Sequence, residues 1–120
     1  MIKIEIPESS LSIPVSDIHK VSLDSGFYFM RDSSGEIVYI GESLNLRKRL
    51  TKHMAGKSST TKRFYHVFHS IDVFYRDRTD RKIYELYAIN LYNPIGNVEG
   101  NESVSKVELK KRREDWIRSL

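Results

Sequence analysis

Two aromatic-rich segments, Gly26–Arg31 (GFYFMR) and Glu36–Gly41 (EIVYIG), are separated by Asp32-Ser33-Ser34-Gly35, and this arrangement constrains the fold more than any other feature. Aromatic and β-branched residues suit a pleated, half-buried surface. A four-residue break with glycine last, free to take a positive φ, suits a hairpin turn. If Arg31 faces Glu36, Tyr28 faces Tyr39 on one side of the sheet, and Phe27 turns to the other. A slip of one residue would put the tyrosines on opposite faces, so the inference depends on the turn.

After Gly41 the pattern changes to a helical period. Ser43 is the expected N-cap. Leu46, Leu50 and Met54 form one apolar stripe, with Arg49 and His53 at its border, about 60° round the helix. Gly56 ends this helix, and Ser58–His69 reads as a second, shorter one. Ile71–Arg76 alternates as a third strand. Ile2–Ile6 (IKIEI) also alternates and could lie at a sheet edge, stopped by Pro7. Ser16–Val21 reads as a short turn or helix. Thr79 caps a helix through Tyr92, stopped by Pro94, with Ile83, Leu86, Tyr87, Asn90 and Leu91 as its expected buried face and Glu85 off that face. Ser105 and Glu108 make a capping box for a last helix. That helix carries Lys110-Lys111-Arg112-Arg113, with Leu109 and Trp116 seven apart. The expected class is α+β: a small three-stranded antiparallel sheet flanked by helices, plus a basic C-terminal helix. Residues 1–24 read as an extension packed on a 25–97 catalytic unit, with 98–120 part of the same body.

Composition adds the partner. The 120 residues make one ordinary domain. With no cysteine there is no disulfide, thiolate metal site or cysteine nucleophile. The start lacks a signal-peptide pattern and no run reaches membrane-span length, which points to a cytoplasmic protein without a membrane partner. The net charge is +4, unevenly placed. Residues 43–69 contain Arg47, Lys48, Arg49, Lys52, Lys57, Lys62 and Arg63 and not one acid, whereas residues 1–25 hold two lysines against four acids. Such a stretch suits a phosphate-facing surface, though a solvated basic face would read the same way.

Singly, these residues have ordinary explanations: packed tyrosines, a snorkelling arginine, a surface histidine, a solvent-facing glutamate. Their order is more informative. Gly26-Phe27-Tyr28, then Tyr39-Ile40-Gly41, then Arg49 eight residues on within NLRKRL, His53, Glu85, and Pro94 with Asn97 in a P-x-x-N pattern resemble the GIY-YIG nuclease family over about residues 25–97. Phenylalanine stands where the first motif has isoleucine. The resemblance implies a metal-dependent endonuclease acting on DNA. It implies Glu85 as the ligand of Mg²⁺ (or Mn²⁺), Arg49 as the phosphate-stabilising group, and Tyr28, Tyr39 and His53 as residues that position or deprotonate the attacking water. Gly41, Arg47, Lys52, Lys57, Lys62, Arg63 and Asn97 are candidate substrate contacts. The residue types suit that chemistry. Mg²⁺ often takes only one or two carboxylates, and a guanidinium fork matches phosphate oxygens. A catalytically weak DNA-binding module, or a cleavage subunit working with a DNA-reading protein, is the alternative. The segment after Asn97 has no counterpart in the resemblance.

Overall fold

The computed structural model describes residues 2–120. Strands β1 (Leu11–Pro14), β2 (Gly26–Arg31), β3 (Ile37–Ser43) and β4 (Ser70–Tyr75) form one antiparallel sheet in the order β1-β4-β2-β3. Helices α1 (Leu46–Met54), α2 (Asp80–Tyr92) and α3 (Lys106–Arg118) flank it, with 3-10 turns at Val15–Lys20 and Tyr65–Val67. The α+β class holds, but the sheet has four strands rather than three. The extra strand is not Ile2–Ile6, which lies outside regular structure. Leu11–Pro14 takes the edge of β4 instead, where Ile13 is buried opposite Ile71.

The hairpin register departs from expectation by two residues. The turn closes on Asp32 and Glu36, through Asp32 N to Glu36 O and Gly35 N to Asp32 O, each 3.0 Å, with Gly35 at φ 88°. A bulge between Met30 and Arg31 then passes over Val38. Tyr28 therefore pairs with Gly41, and Tyr39 with Met30. Because the shift is even, Tyr28 and Tyr39 still share a face.

The sheet separates two cores. One face carries Tyr28, Met30, Ile71 and Val73 under Leu46, Leu50, Phe64 and Phe68. The other carries Phe27, Phe29, Ile40 and Phe74 under Ala88 and Ile89 of α2. Phe27 stacks on Phe74 at 4.3 Å and on Tyr84 at 5.3 Å, so the phenylalanine that stands in the isoleucine place of the first motif joins an aromatic stack.

Local details correct several expectations. Asn45, not Ser43, caps α1: its side chain accepts from Lys48 N at 3.1 Å, and Ser43 is still in β3. Ser58–His69 is a chain of turns ending in the 3-10 turn at Tyr65–Val67, not a helix, although Thr61, Phe64 and Phe68 are buried at helical spacing. Asp77 takes the capping role expected of Thr79, accepting from Thr79 N and Asp80 N at 3.0 and 2.8 Å. Helix α2 is also rotated from its expected orientation. Arg81, Ala88 and Ile89 are buried, whereas Ile83, Leu86 and Leu91 are about half exposed. The sheet beneath is already filled by phenylalanine rings, so it accepts the alanine side of the helix. Ser105 does cap α3, accepting from Glu108 N at 3.3 Å, and Leu109 is fully buried.

Candidate active site

Edge strand β3 carries the site, and its free edge is covered by the segment after α2. Gly96 N–H donates to Val38 O at 2.8 Å. The Asn97 side chain accepts from Ile40 N at 2.9 Å and donates to Ile40 O at 2.8 Å, as a neighbouring strand would. Asn97, a candidate substrate contact, thus spends both side-chain polar groups on β3. Gly41 is likewise not a surface contact. It is buried, and a Cβ there would collide with Tyr28 Oη, so the glycine exists to let the Tyr28 ring lie across the strand.

Tyr28 is completely buried and its Oη lies 2.7 Å from His53 Nε2. The other ring nitrogen, Nδ1, lies 2.6 Å from Thr61 Oγ1. His53, which the helical period sets at the border of the apolar stripe, has no solvent exposure. Burial first, then the charges of Arg49 and Lys52, pushes its pKa down to about 3, so the ring is neutral at pH 7. Burial, reinforced by neighbouring Tyr39, holds the Tyr28 phenol well above the ordinary tyrosine value, with Arg49 pulling only partly against it. A protonated phenol that also faces Arg49 beside a neutral imidazole suits one tautomer, with Tyr28 O–H donating to Nε2 and Nδ1–H donating to Thr61, in which each buried hydrogen has an acceptor. Thr61 had no signal in the sequence, because its segment read as a helix.

Arg49 rises from α1 toward both the Tyr28 and Tyr39 hydroxyls. Burial works against its charge, but the two hydroxyls outweigh it and hold its pKa above the ordinary arginine value. Tyr39, half-buried, closes against His53, Phe64 and Phe68.

Glu85 reaches the same end of the sheet from α2, on the buried side of the helix rather than off it. Its field contributes to the raised pKa of Tyr28. Burial first, then nearby Glu42, lifts its own pKa to about 7, and Arg81 and Lys82 offset this only in part. Arg81 is occupied: its Nε donates to Glu42 Oε2, and a second nitrogen donates to Arg78 O. Glu85 itself makes no hydrogen bond or salt bridge among the described residues. A sheltered carboxylate in no salt bridge is the donor a hard divalent ion wants, and one such carboxylate with waters suffices for Mg²⁺. Among the described residues no three His, Asp or Glu side chains cluster, so a multi-ligand cage of the zinc kind is absent. Glu42 and Arg81, both outside the expected site, are what leave Glu85 unpaired.

The basic candidates separate. Lys52, Lys57 and Lys62 are exposed. Arg47 donates to Val21 O at 2.6 Å and ties α1 to the N-terminal loop. Arg63 forms a two-pronged ion pair with Glu114 of α3, at 2.8 and 2.7 Å, so much of its charge is already answered.

Residues 24–99 match the model of the GIY-YIG catalytic domain. YurQ of Bacillus subtilis is 29% identical over 119 residues, which cover 82% of this chain and 96% of YurQ. The UvrABC system protein C of Chlamydia trachomatis is 33% identical over 82 residues; these cover 65% of this chain but only 14% of that protein. The GIY-YIG N-terminal endonuclease domain of UvrC from Thermotoga maritima, solved with its catalytic divalent cation magnesium, superposes with a TM-score of 0.62 at 21% identity, over 69% of this chain and 93% of that one. At that identity the likeness concerns the fold.

Proposed function

The chain belongs to the GIY-YIG catalytic domain family, and from that premise we propose that it is a divalent-metal-dependent endonuclease hydrolysing phosphodiester bonds in DNA. The observation that carries the reading is the pairing of opposites at one end of β3. Arg49 bears on two tyrosine hydroxyls, while Glu85 stands sheltered with no salt bridge among the described residues, Arg81 and Lys82 offsetting its burial only in part.

Each residue has a role its surroundings suit. Glu85 would hold the cation, with water as the other ligands. Mg²⁺ bound there supplies Lewis-acid charge for the phosphoryl group and the leaving 3′ oxygen. Arg49 answers the charge on the non-bridging oxygens with a fixed fork. Tyr28 is too high in pKa to be ionised before substrate arrives. Its oxygen helps orient the attacking water, and neutral His53, with Nε2 as acceptor, holds the phenol in place; with a pKa of about 3 the imidazole positions Tyr28 and does not take its proton. Thr61 keeps His53 in that tautomer. Tyr39 holds the opposite side of the pocket. Lys52, Lys57 and Lys62 give the approaching duplex a positive surface.

The test is a cleavage screen over linear, branched and single-stranded DNA and over RNA, with Mg²⁺ or Mn²⁺. Wild type should nick a DNA substrate only with metal, and Glu85→Gln should lose at least about 10³-fold in turnover. Equal cutting by Glu85→Gln would refute the metal assignment. Wild type inert on every substrate with both metals would refute the nuclease.

A further inference from the structure

The matched family segment ends at residue 99, yet the chain continues into α3, and α3 builds the wall of a cavity beside the site. The cavity holds about 290 Å³ and lies between the turns at 59–64, the clasp at 96–99 and α3, with Tyr39 at its inner end. Its floor is Phe64 and Ile117. Its rim is Ser59, Thr60, Lys110 and Arg113. Helix α3 is held in place by Trp116 against Phe64, ring centres 5.1 Å apart, by buried Leu109, and by the Arg63–Glu114 fork.

The charges are arranged to leave two cations for a ligand. The wall contains Glu99, which Lys106 pairs at 3.0 Å, and Arg63, which Glu114 pairs. Lys110 and Arg113 make no salt bridge among the described residues, although Arg113 is near enough to Glu114 to help lower its pKa. Two uncommitted cations and two hydroxyls above an apolar floor suit an anion that carries an apolar or ring-shaped body. At the small end of the ~300–1,000 Å³ range of ligand sites, the space suits one sugar-phosphate unit. Tyr39 borders both this cavity and the candidate active site, so one strand can occupy both.

We infer that this cavity is a second phosphodiester subsite, in which Lys110 and Arg113 of α3 grip a backbone phosphate of the strand whose neighbouring phosphate lies at Arg49. This rests on the nuclease reading for the identity of the strand. Helix α3 is therefore part of the substrate site rather than an ornament on the domain.

The test measures affinity for a labelled DNA duplex and for an RNA of the same sequence from low to moderate salt, in the full chain carrying Glu85→Gln to prevent cutting. Adding Lys110→Ala/Arg113→Ala should weaken DNA binding about 10- to 100-fold near 0.1 M salt and flatten the log–log salt slope by about 1, for the one phosphate the pair grips. The control pair Lys111→Ala/Arg118→Ala removes the same charge from the same helix, at residues that answer Asp115. It should leave the slope within about 0.5 of the parent. Urea midpoints check that both pairs fold. Equal effects from the two pairs would overturn the subsite in favour of net charge alone. A stronger effect on RNA than on DNA would overturn DNA as the occupant. Inorganic phosphate that competes equally with the parent and the Lys110→Ala/Arg113→Ala variant would also refute the grip. With cleavage-competent protein the same pair should raise KM and spare kcat. If wild type cuts DNA and the pair changes neither slope nor KM, the subsite is wrong and the nuclease stands. If nothing is cut but the slope changes, the nuclease is wrong and the phosphate grip stands.

Discussion

His53→Gln should change the pH dependence of stability in a way that its position in the core determines. The wild-type imidazole is buried and neutral, with its pKa pushed down to about 3 by burial and by Arg49 and Lys52. In the unfolded chain it returns to about 6.5. A depressed folded pKa contributes stability that is present above about 6.5 and lost as pH falls toward 3. Between pH 7.5 and 4.5 that loss is about 2.5 kcal/mol. Glu85 acts in the opposite sense. Its pKa is lifted to about 7, so it gains stability as the pH falls below 7, by a comparable amount. The wild-type curve alone could therefore look flat. The informative quantity is wild type minus His53→Gln, in which Glu85 cancels. At pH 7.5 the variant should be less stable by about 1–3 kcal/mol, through Tyr28 and Thr61 losing buried partners. By pH 4.5 the gap should shrink by about 2.5 kcal/mol and approach zero or reverse. Urea unfolding followed by the fluorescence of Trp116, the single tryptophan, which packs on Phe64, measures both. A gap constant to within about 0.5 kcal/mol across that range would refute a neutral, buried His53.

Glu85→Gln should abolish cleavage yet stabilise the metal-free protein at pH 7.5 by about 1–3 kcal/mol, because it removes a sheltered carboxylate whose burial Arg81 and Lys82 offset only in part; a lower urea midpoint in EDTA would contradict this. Gly41→Ala should cost about 1–3 kcal/mol and about 10²-fold in turnover, since the new Cβ must displace the Tyr28 ring, and a variant cutting at the wild-type rate would show that Tyr28 need not lie there. Asn97→Ala should cost about 2–4 kcal/mol through two lost bonds to Ile40, with amide exchange of Ile40 accelerated; unaltered exchange would show that the clasp does not protect the β3 edge.

The α2 helix shows where the sequence was least legible. Ile83, Leu86, Tyr87 and Leu91 are its most apolar stripe, and periodicity alone buries that stripe. The fold buries Ala88 and Ile89 instead, because Phe27, Phe29 and Phe74 already fill that face of the sheet and leave room for a flat helix surface. The same rotation turns Glu85 inward. A carboxylate on the polar side of a helix reads as solvent-facing, so its chemistry followed from resemblance and not from pattern. Glu42 and Arg81 shape the site through a contact 39 positions apart in the chain, and Thr61 through one that crosses from α1 into the turns after it. No local spacing reports such a contact.

The tyrosine pair was legible for a reason worth separating from the pairing itself. A closing pair at Arg31 and Glu36 would set Tyr28 opposite Tyr39. The chain instead closes one residue later in the sum, on Asp32 and Glu36, and the bulge at Val38 adds one more. Either displacement alone would send Tyr39 to the α2 side of the sheet, away from His53 and Arg49. Together they restore the face and move Gly41 opposite Tyr28. That exchange has a chemical consequence. Opposite Tyr39, the Tyr28 ring would have stood beside a second ring; opposite Gly41 it lies across the strand and puts its hydroxyl within 2.7 Å of His53. The bulge also exposes Val38 O to the Gly96 amide, which begins the clasp that Asn97 completes on Ile40. The bulged residue, the glycine of the second strand and the asparagine after the proline thus act together: they set Tyr28 and Tyr39 under Arg49 and close the edge that a two-tyrosine hairpin would leave open.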